Sequence, residues 1–307
     1  MRIKEPEIYH NLDQKLTQFS RYGDLPGINL RSNKEALLLQ LVDSIRRIKY
    51  IKVLNEKEYS SEVSDASIAS FNPIKASIYH LQNDNYDEAC WLVFLITNFS
   101  KHYKTEWNLL RNFYLGLGNR NKWTWEYITN NLEEFHYWID SNHERLSKTG
   151  NFGNHRKYQT VNPNKGTGRT DKAVQTYIDW IEYNSHDYFF SEKVKESRIN
   201  SQNLFNNLYK SMNEVYSFGR TAKFDYLTMI GKIGLLDIVP DKTYMAGATG
   251  PYKGAKILFG KNGTPNQLEI WLRDLEDFLD LEYGMQVLED AICNWQKDPS
   301  TYKYFRG

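Results

Sequence analysis

The apolar positions along the chain recur mainly at helical spacing. In segment 33–51, five aliphatic residues share one helical face: Leu37, Leu38, Leu41, Ile45 and Ile48. Spacings of three and four residues predict an amphipathic helix that buries this face. Segment 84–103 is apolar nearly all round. We therefore interpret it as the central buried helix.

The carboxy-terminal third repeats this pattern, with one exception. Two further helical faces are formed by Leu268, Trp271, Leu275, Phe278 and Leu279, and by Met285, Leu288, Ile292 and Trp295. The exception is a glycine-rich stretch in which the short "AKILF" (255–259) has a strand-like pattern. The pattern as a whole predicts a mainly α protein with two helical lobes around a cleft. We expect an amino-terminal helical segment (1–80) that packs on the core, and lobes over roughly 81–150 and 151–307.

Composition narrows the class of protein. Of 307 residues, 40% are hydrophobic and 15% aromatic, which is typical of a globular protein. The two cysteines, Cys90 and Cys293, are too few for a disulfide framework, a four-cysteine zinc site or an iron–sulfur cluster. The longest apolar run (89–96) is far below the roughly 20 residues that span a bilayer. We expect a cytoplasmic protein without metal or redox cofactor.

The net charge of +1 conceals a basic centre and an acidic end. Residues 151–172 hold one acid, Asp171, against five cations, namely Arg156, Lys157, Lys165, Arg169 and Lys172. Residues 264–290 hold eight acids against one arginine. This asymmetry favours one local phosphate-facing surface rather than a uniformly basic coat.

Two segments of the basic centre have side chains suited to DNA. In "FGNHRKYQ" (152–159), an aromatic residue, Tyr158, follows four polar ones, namely Asn154, His155, Arg156 and Lys157. Such residues bond phosphates and base edges, and the ring can stack. In "KGTGRTD" (165–171), Lys165 and Arg169 stand just ahead of a predicted helix whose first amides attract phosphate. A flexible loop with solvated charges is the alternative for this segment.

The segment "FGRTAKFDYLTMIGKIGLLDIVPDKTY" (218–244) resembles half of the helix-hairpin-helix signature of DNA glycosylases. The resemblance implies that the step at Gly219, Arg220 and Thr221, with Lys223 behind it, presents amides and charge to a DNA phosphate. It also implies that Asp241 lies at the mouth of a cleft. Superfamily members that cut the strand place a lysine before the Thr-Ala step. Arg220 occupies that position here, which predicts an enzyme that leaves an abasic site intact.

A wider set of segments resembles one family. These segments include "WLVFLITNFSKHYKTEWNLLRNFYLGLG", "WTWEYI", "FGNHRKYQ", "GATGPYKGAKILFG" and "LEDAICNWQK". Together they resemble alpha-glutamyl/putrescinyl thymine pyrophosphorylase clade 3, over roughly residues 80–297. The resemblance implies an all-α, DNA-glycosylase-like fold that acts on modified bases in phage-type DNA. It implies either excision of a hypermodified base, such as glucosylated hydroxymethylcytosine, or a pyrophosphate-releasing transfer.

Excision of a base requires a carboxylate beside the sugar, because the transition state has oxocarbenium character. Asp241 is our candidate, and a plain turn residue is the alternative reading of its position. Asp225, one turn into the helix behind Arg220, is the rival. Glu289 and Asp290 on the last helix come third.

Four aromatic residues are candidates to line the pocket of an everted base: Trp107, Trp123, Trp125 and Tyr158. Tryptophans at helical spacing also suit a core. Lys253 and Lys256, among the glycines of 247–256, could hold either a diphosphate or the DNA backbone.

The predicted function is therefore a monofunctional DNA glycosylase in antiviral defence. A transferase that places an amine or amino acid on diphosphorylated hydroxymethyluracil is the first alternative. A non-catalytic module that recognises modified DNA is the second. The predicted partner is double-stranded DNA with modified bases, with no membrane and no obligatory protein partner.

Overall fold

The computed structural model describes residues 4–118, 121–182, 185–196, 200–260 and 262–304. Within these ranges the regular elements are helices, without strands, which confirms the mainly α prediction. The α-helices are α1 (Pro6–Phe19), α2 (Arg31–Asn55), α3 (Pro73–Gln82), α4 (Tyr86–Phe99), α5 (Asn108–Tyr114), α6 (Trp125–Asn130), α7 (Leu132–Ser147), α8 (Thr170–Trp180), α9 (His186–Glu196), α10 (Ser201–Ser211), α11 (Arg220–Ile233), α12 (Gly250–Phe259), α13 (Pro265–Leu279) and α14 (Gly284–Trp295).

The chain divides into two compact units. The first unit combines both ends of the chain, up to Ile51 and from Val239 onward, and the second is Lys52–Ile238. Residue 80 falls inside α3, and residue 150 follows α7, so both expected boundaries lie within the second unit. The three expected segments, the helix-hairpin-helix fold and the basic cleft stay predictions.

The first unit has its own hydrophobic core. The face predicted on α2 is confirmed, since Leu37, Leu38, Leu41 and Ile48 are buried and Ile45 is partly buried against the core. Leucines of α1, α12, α13 and α14 complete the core. Helices α12 and α14 approach closely at Gly254, where an added Cβ would lie 2.4 Å from the carbonyl oxygen of Ile292. Only glycine fits there.

The strand-like reading of "AKILF" is wrong, because these residues form the end of α12. Pro251 stands in the first turn, where its missing N–H costs nothing, and Gly260 ends the helix in the left-handed conformation (φ 60°). Ala255, Leu258 and Phe259 are buried at helical spacing. The core contact of a helical face therefore outweighs the weak strand propensity of a short apolar run.

The second unit is built on α4, as the central-helix prediction requires. Every residue of this helix from Glu88 to Phe99 is buried. The ring of Phe94 stacks on Tyr177 of α8 at 4.0 Å and on Phe218 at 5.3 Å. These contacts bring α8 and the turn before α11 against α4.

Glycines bound α11 at both ends. Gly219 is the N-cap and offers no side chain to cap the helix, while Gly234 ends it with φ 86°. A helix whose first amides have no side-chain cap presents them, with the positive end of its dipole, to an anion. The helix expected after the Gly-Arg-Thr-Ala step is thus present.

Candidate DNA-binding and catalytic sites

Arg156 is an internal support rather than a surface cation. It is 5% exposed, and its Nη1 donates to the carbonyl oxygen of Ser217 at 2.7 Å. Its Nη2 donates to Oδ1 of Asn98 at 3.1 Å, and its guanidinium stacks on Phe218 at 4.9 Å. Burial lowers the pKa of Arg156 to about 10. Arg156 is predicted from the sequence to contact DNA, but in the structure its donors hold the turn before α11.

A cleft of about 410 Å³ opens at the start of α11. We call it the α11 cleft, and its walls include Lys172, Thr176, Asn213, Tyr216, Gly219 and Lys223. Nζ of Lys223 donates to Oδ1 of Asn213 at 2.6 Å, and burial lowers the pKa of Lys223. Nζ of Lys172 lies 4.7 Å from the Tyr216 ring centre. Two ammonium groups and a helix N-terminus thus border one concave surface, which suits a phosphate.

Two candidates from distant segments meet beside this helix. Nδ1 of His155 lies 2.8 Å from Oδ2 of Asp225, on the outer side of α11. Both side chains are about one-third exposed, at 37% and 36%. His155 belongs to a short helical turn, Asn154–Arg156; Asn154 at its start and Lys157 just after it are exposed. The structure therefore places the "FGNHRKYQ" segment along the first turns of α11, where Arg220 and Thr221 also lie.

The loop that contains Lys165 is closed at its base. The N–H of Thr160 donates to the carbonyl of Gly168 at 2.7 Å, and the N–H of Thr170 donates to the carbonyl of Thr160 at 2.9 Å. Lys165 is exposed in the loop. Arg169, the N-cap residue of α8, bonds both oxygens of Asp171 at 2.5 and 3.2 Å, so its charge is already paired.

Asp241 belongs to the first unit, in a tightly held turn. The carboxylate of Glu269 on α13 accepts the N–H groups of Thr243 at 2.8 Å and Met245 at 2.6 Å. Tyr244 has φ 52°, a conformation that costs a non-glycine residue energy and that is found mainly where surrounding contacts impose it. In this conformation its hydroxyl donates to Oδ1 of Asp241 at 2.7 Å.

The other oxygen of Asp241 faces cations. Its Oδ2 lies 3.8 Å from Nζ of Lys242 and 3.9 Å from Nη2 of Arg273, which also donates to the Asp241 carbonyl at 2.7 Å. The Asp241 side chain is 17% exposed. The preceding residue, Pro240, is buried and has no N–H to donate. The carboxylate is thus oriented from several sides and still reachable.

The same turn leads into a groove of about 870 Å³. We call it the α12 groove, and its walls include Met245, Thr249, Tyr252, Lys253, Lys256 and Pro265. Its volume is in the range of small-molecule sites, roughly 300–1,000 Å³. Lys253 and Lys256 both line this groove, and Lys256 stands in the last turn of α12. Three residues lie between Asp241 and Met245, so their Cα atoms are at most about 14 Å apart.

The four aromatic candidates lie in different environments. Trp123 is buried, with its ring 5.3 Å from that of Trp138. Trp107 is half-buried ahead of α5. Tyr158 is 81% exposed on the surface. Trp125, at the start of α6, borders a cleft of about 530 Å³.

The cleft beside Trp125 includes acids that the sequence analysis did not single out. We call it the α4–α6 cleft, and its walls include His80, Asp87, Glu88, Trp125, Glu126 and Ser185. Glu88 accepts from the hydroxyl of Tyr114 at 2.5 Å and from the N–H of Trp125 at 2.8 Å. Burial outweighs these bonds and raises the pKa of Glu88 to about 7. The sequence feature that could have indicated this site is a glutamate, Glu88, next to the apolar run of the predicted central helix.

Asp87 is anchored to a buried chain of polar groups. Its Oδ1 accepts the N–H of His186 at 2.6 Å and lies 2.8 Å from Nδ1 of that ring. Nε2 of His186 is 2.8 Å from the Tyr177 hydroxyl, which is 2.9 Å from that of Tyr226. Burial would raise the pKa of Asp87, but the bonds from His186 prevail and lower it. This series of hydrogen-bonded side chains joins α4, α8, α9 and α11.

None of the helices that the structure describes has the length and apolar character that crossing a bilayer requires.

The family model for alpha-glutamyl/putrescinyl thymine pyrophosphorylase clade 3 matches residues 32–307. The match begins well before residue 80, where the resemblance became unclear from the sequence. Searches of curated proteins and of solved structures gave no match. Because the family model covers far more than half of the chain, the protein belongs to the alpha-glutamyl/putrescinyl thymine pyrophosphorylase clade 3 family.

Proposed function

We propose that this protein is a DNA glycosylase that removes a bulky modified base from phage DNA and so contributes to antiviral defence. Membership of a family named for thymine hypermodification supports a modified base in DNA as the target. We propose that the target is a base of about the size of glucosylated hydroxymethylcytosine. In this reaction the glycosidic bond breaks, the anomeric carbon of the sugar takes the hydroxyl group of a water molecule, the base leaves with a proton, and an abasic site remains.

One observation carries this proposal, the oriented carboxylate of Asp241 in the turn that leads to the α12 groove of the same unit. The Tyr244 hydroxyl holds one carboxylate oxygen at 2.7 Å, and the side chain remains 17% exposed. A carboxylate in this setting stabilises the positive charge that develops on the sugar and orients the attacking water. The α12 groove, at about 870 Å³, has room for a base with an appended sugar.

We propose that the α11 cleft and the surface beside it hold the DNA backbone. Amides at the start of α11, Lys172 and Lys223 supply donors and positive charge around one cavity. Lys157 and Lys165 are exposed on the adjoining segment. Phosphate contacts of this kind supply affinity without sequence specificity.

The absence of a nucleophilic lysine before the Thr-Ala step supports a monofunctional enzyme. Arg220 stands in that position, and a guanidinium stays protonated and does not form a Schiff base. The purified protein should therefore leave abasic sites without nicking the strand.

A transferase is the second candidate, and the α12 groove is the observation that favours it. Lys253, Lys256 and the amino end of α12 surround a space that suits a diphosphate. The reaction would form a bond between an amine and the base methylene carbon and release pyrophosphate. The family name fits this chemistry.

The two candidates differ in their products. The protein is incubated with unmodified, hydroxymethylated and glucosylated DNA, and with DNA that contains diphosphorylated hydroxymethyluracil and an amine. Free base, abasic sites and pyrophosphate are then measured. Free base with abasic sites supports the glycosylase, whereas pyrophosphate without free base supports the transferase.

The variant Asp241→Asn distinguishes both enzymes from a binding module. A glycosylase should lose turnover and keep its affinity for modified DNA, whereas a binding module should be unaffected in every assay. Asp237→Asn, an exposed acid shortly before Asp241, is the matched control.

A further inference from the structure

Glu269 of α13 fixes the backbone around Tyr244, the residue whose hydroxyl bonds Asp241. Its carboxylate accepts the N–H of Thr243 at 2.8 Å and that of Met245 at 2.6 Å, one residue on each side of Tyr244. All three residues of this segment are buried. Tyr244 has φ 52°, which a bulky residue keeps only where its surroundings impose it. The two bonds from Glu269 supply such a constraint.

Helix α13 is a firm support for this constraint. It begins with a capping box, and its leucines are buried in the core of the first unit. Arg273, one turn after Glu269 on the same helix, donates from Nη2 to the carbonyl oxygen of Asp241 at 2.7 Å. A single helix therefore holds both ends of the turn at residues 241–245.

The backbone of Tyr244 determines where its hydroxyl points, because the ring is buried and has little freedom. The hydroxyl donates to Oδ1 of Asp241 at 2.7 Å. Oδ2 is then on the side of two cations, 3.8 Å from Nζ of Lys242 and 3.9 Å from Nη2 of Arg273. A series of contacts thus leads from Glu269 through Tyr244 to the direction of the Asp241 carboxylate.

We propose that Glu269 and Tyr244 are positioning residues that act through Asp241. Glu269 imposes the backbone of Tyr244, and the Tyr244 hydroxyl turns the carboxylate so that Oδ2 faces the sugar. A carboxylate that is already oriented stabilises developing positive charge without first reorganising. A displacement of about 1 Å in such a group can cost about 100-fold in rate. The inference rests on the proposed function and adds two residues on which its rate depends.

Two variants and two matched controls test this. Tyr244→Phe removes the hydroxyl alone, and Glu269→Gln leaves one acceptor oxygen where the carboxylate has two. Tyr302→Phe is the first control, because it removes another tyrosine–aspartate hydrogen bond of the same unit, to Asp43. Asp274→Asn, which changes an exposed acid on α13, is the second. The values of kcat and KM for base release are measured on DNA with glucosylated hydroxymethylcytosine.

We expect Tyr244→Phe and Glu269→Gln to lower kcat by about 10- to 100-fold and to leave KM within about twofold of wild type. A misplaced carboxylate weakens the transition state rather than the binding of DNA. Both controls should match wild type. In the Asp241→Asn background, Tyr244→Phe should cause little further loss in single-turnover release, because residues that act as a unit are not additive.

An unchanged kcat in Tyr244→Phe would overturn the proposal. The same fold loss with and without Asp241→Asn would also overturn it, because Tyr244 would then act independently of Asp241. A raised KM with unchanged kcat would mean that Tyr244 contacts DNA instead. Equal thermal unfolding midpoints of the variants exclude misfolding. If Glu269→Gln unfolds more readily, Tyr244→Phe still decides, since it removes a single oxygen.

NMR of the protein labelled with carbon-13 at the tyrosine Cζ reports the orientation without substrate. The Tyr244 signal, identified by its loss in Tyr244→Phe, should move in Asp241→Asn and in Glu269→Gln and stay in place in Asp274→Asn. An unmoved signal in Glu269→Gln would refute the link between Glu269 and Asp241. Failure of the wild-type protein to release any base would refute the proposed glycosylase, and this spectrum would still decide the link.

Discussion

Nδ1 of His155 and Oδ2 of Asp225 are 2.8 Å apart, although 70 positions separate the residues in the chain. His155 lies in the short helical turn at residues 154–156 and Asp225 on α11, and both belong to the second unit, whereas Asp241 belongs to the first. The protein therefore has two candidate carboxylates in different settings. Asp225 is oriented by an imidazole on the surface, and Asp241 by a hydroxyl, with two cations close by.

Replacing each aspartate by asparagine tests which of the two carboxylates is catalytic. We expect Asp241→Asn to lower the rate of base release by about 100-fold or more, since it removes a charge that acts on the transition state. Asp225→Asn should lower it by less than about tenfold. Single-turnover release of free base from glucosylated DNA measures both. The opposite ranking would move the catalytic role to the His155–Asp225 pair.

The same pair should contribute little to stability. Both side chains are about one-third exposed, and ion pairs in that setting are worth about 0–1 kcal/mol because water screens them. Urea unfolding of His155→Ala should therefore give a free energy within about 1 kcal/mol of wild type. A much larger loss would show that the pair supports the fold of α11.

Neighbouring cations should behave in opposite ways. Arg156→Ala leaves the Ser217 carbonyl and the Asn98 side chain without their donor and opens a cavity, so we expect a loss of about 3 kcal/mol in the free energy of unfolding. Lys157→Ala should leave stability unchanged and reduce the slope of log affinity against log salt by about 1, one phosphate contact. Urea unfolding and DNA-binding titrations at several salt concentrations measure the two effects. A reduced salt slope with unchanged stability in Arg156→Ala would return this residue to the DNA surface.

Glu88 should make the protein less stable as the pH rises. Its pKa is about 7 in the fold and lower in the unfolded chain, so between about pH 4.5 and 7 the folded state binds more protons. The contribution of Glu88 to the free energy of unfolding therefore falls with increasing pH across that window, by about 3 kcal/mol in total. Glu88→Gln should remove this slope, while Glu126→Gln, an exposed acid of the same cleft, should retain it. Urea unfolding at intervals from pH 4.5 to 8 gives the slopes; identical slopes for wild type and Glu88→Gln would contradict the prediction.

The α12 groove can be assigned from its two lysines. If Lys253 and Lys256 hold the DNA backbone, the double change to alanine should reduce the salt slope by about 2 on any DNA. If they hold a diphosphate on the base, affinity should fall for diphosphorylated hydroxymethyluracil DNA and not for unmodified DNA. Binding titrations on the two DNAs distinguish these results.

Much of the helical framework followed from local pattern. The apolar run of α4 predicted a buried helix because no polar face was left for water, and Gly219 and Gly234 marked the ends of α11 because glycine suits both positions. The strand-like interpretation of "AKILF" was wrong because a run of five residues shows too little periodicity to distinguish a strand from a helix.

The burial and the partners of single side chains could not be predicted from the local sequence pattern. Arg156 and Lys157 are adjacent cations in the sequence, yet the fold buries the first and exposes the second. The direction of the Arg156 side chain depends on Asn98, Phe218 and the Ser217 carbonyl, which lie some sixty residues away.

The sequence by itself determined that this chain is helical, where its buried helices run, and which family it belongs to, because periodicity and motif are local properties of the chain. Only the tertiary structure decided that His155 meets Asp225, that Glu88 lies with Trp125 in one cleft, and that Tyr158 stands in solvent. Burial and pairing arise from contacts between segments far apart in the chain. They are set when the core forms, and residue type alone does not specify them.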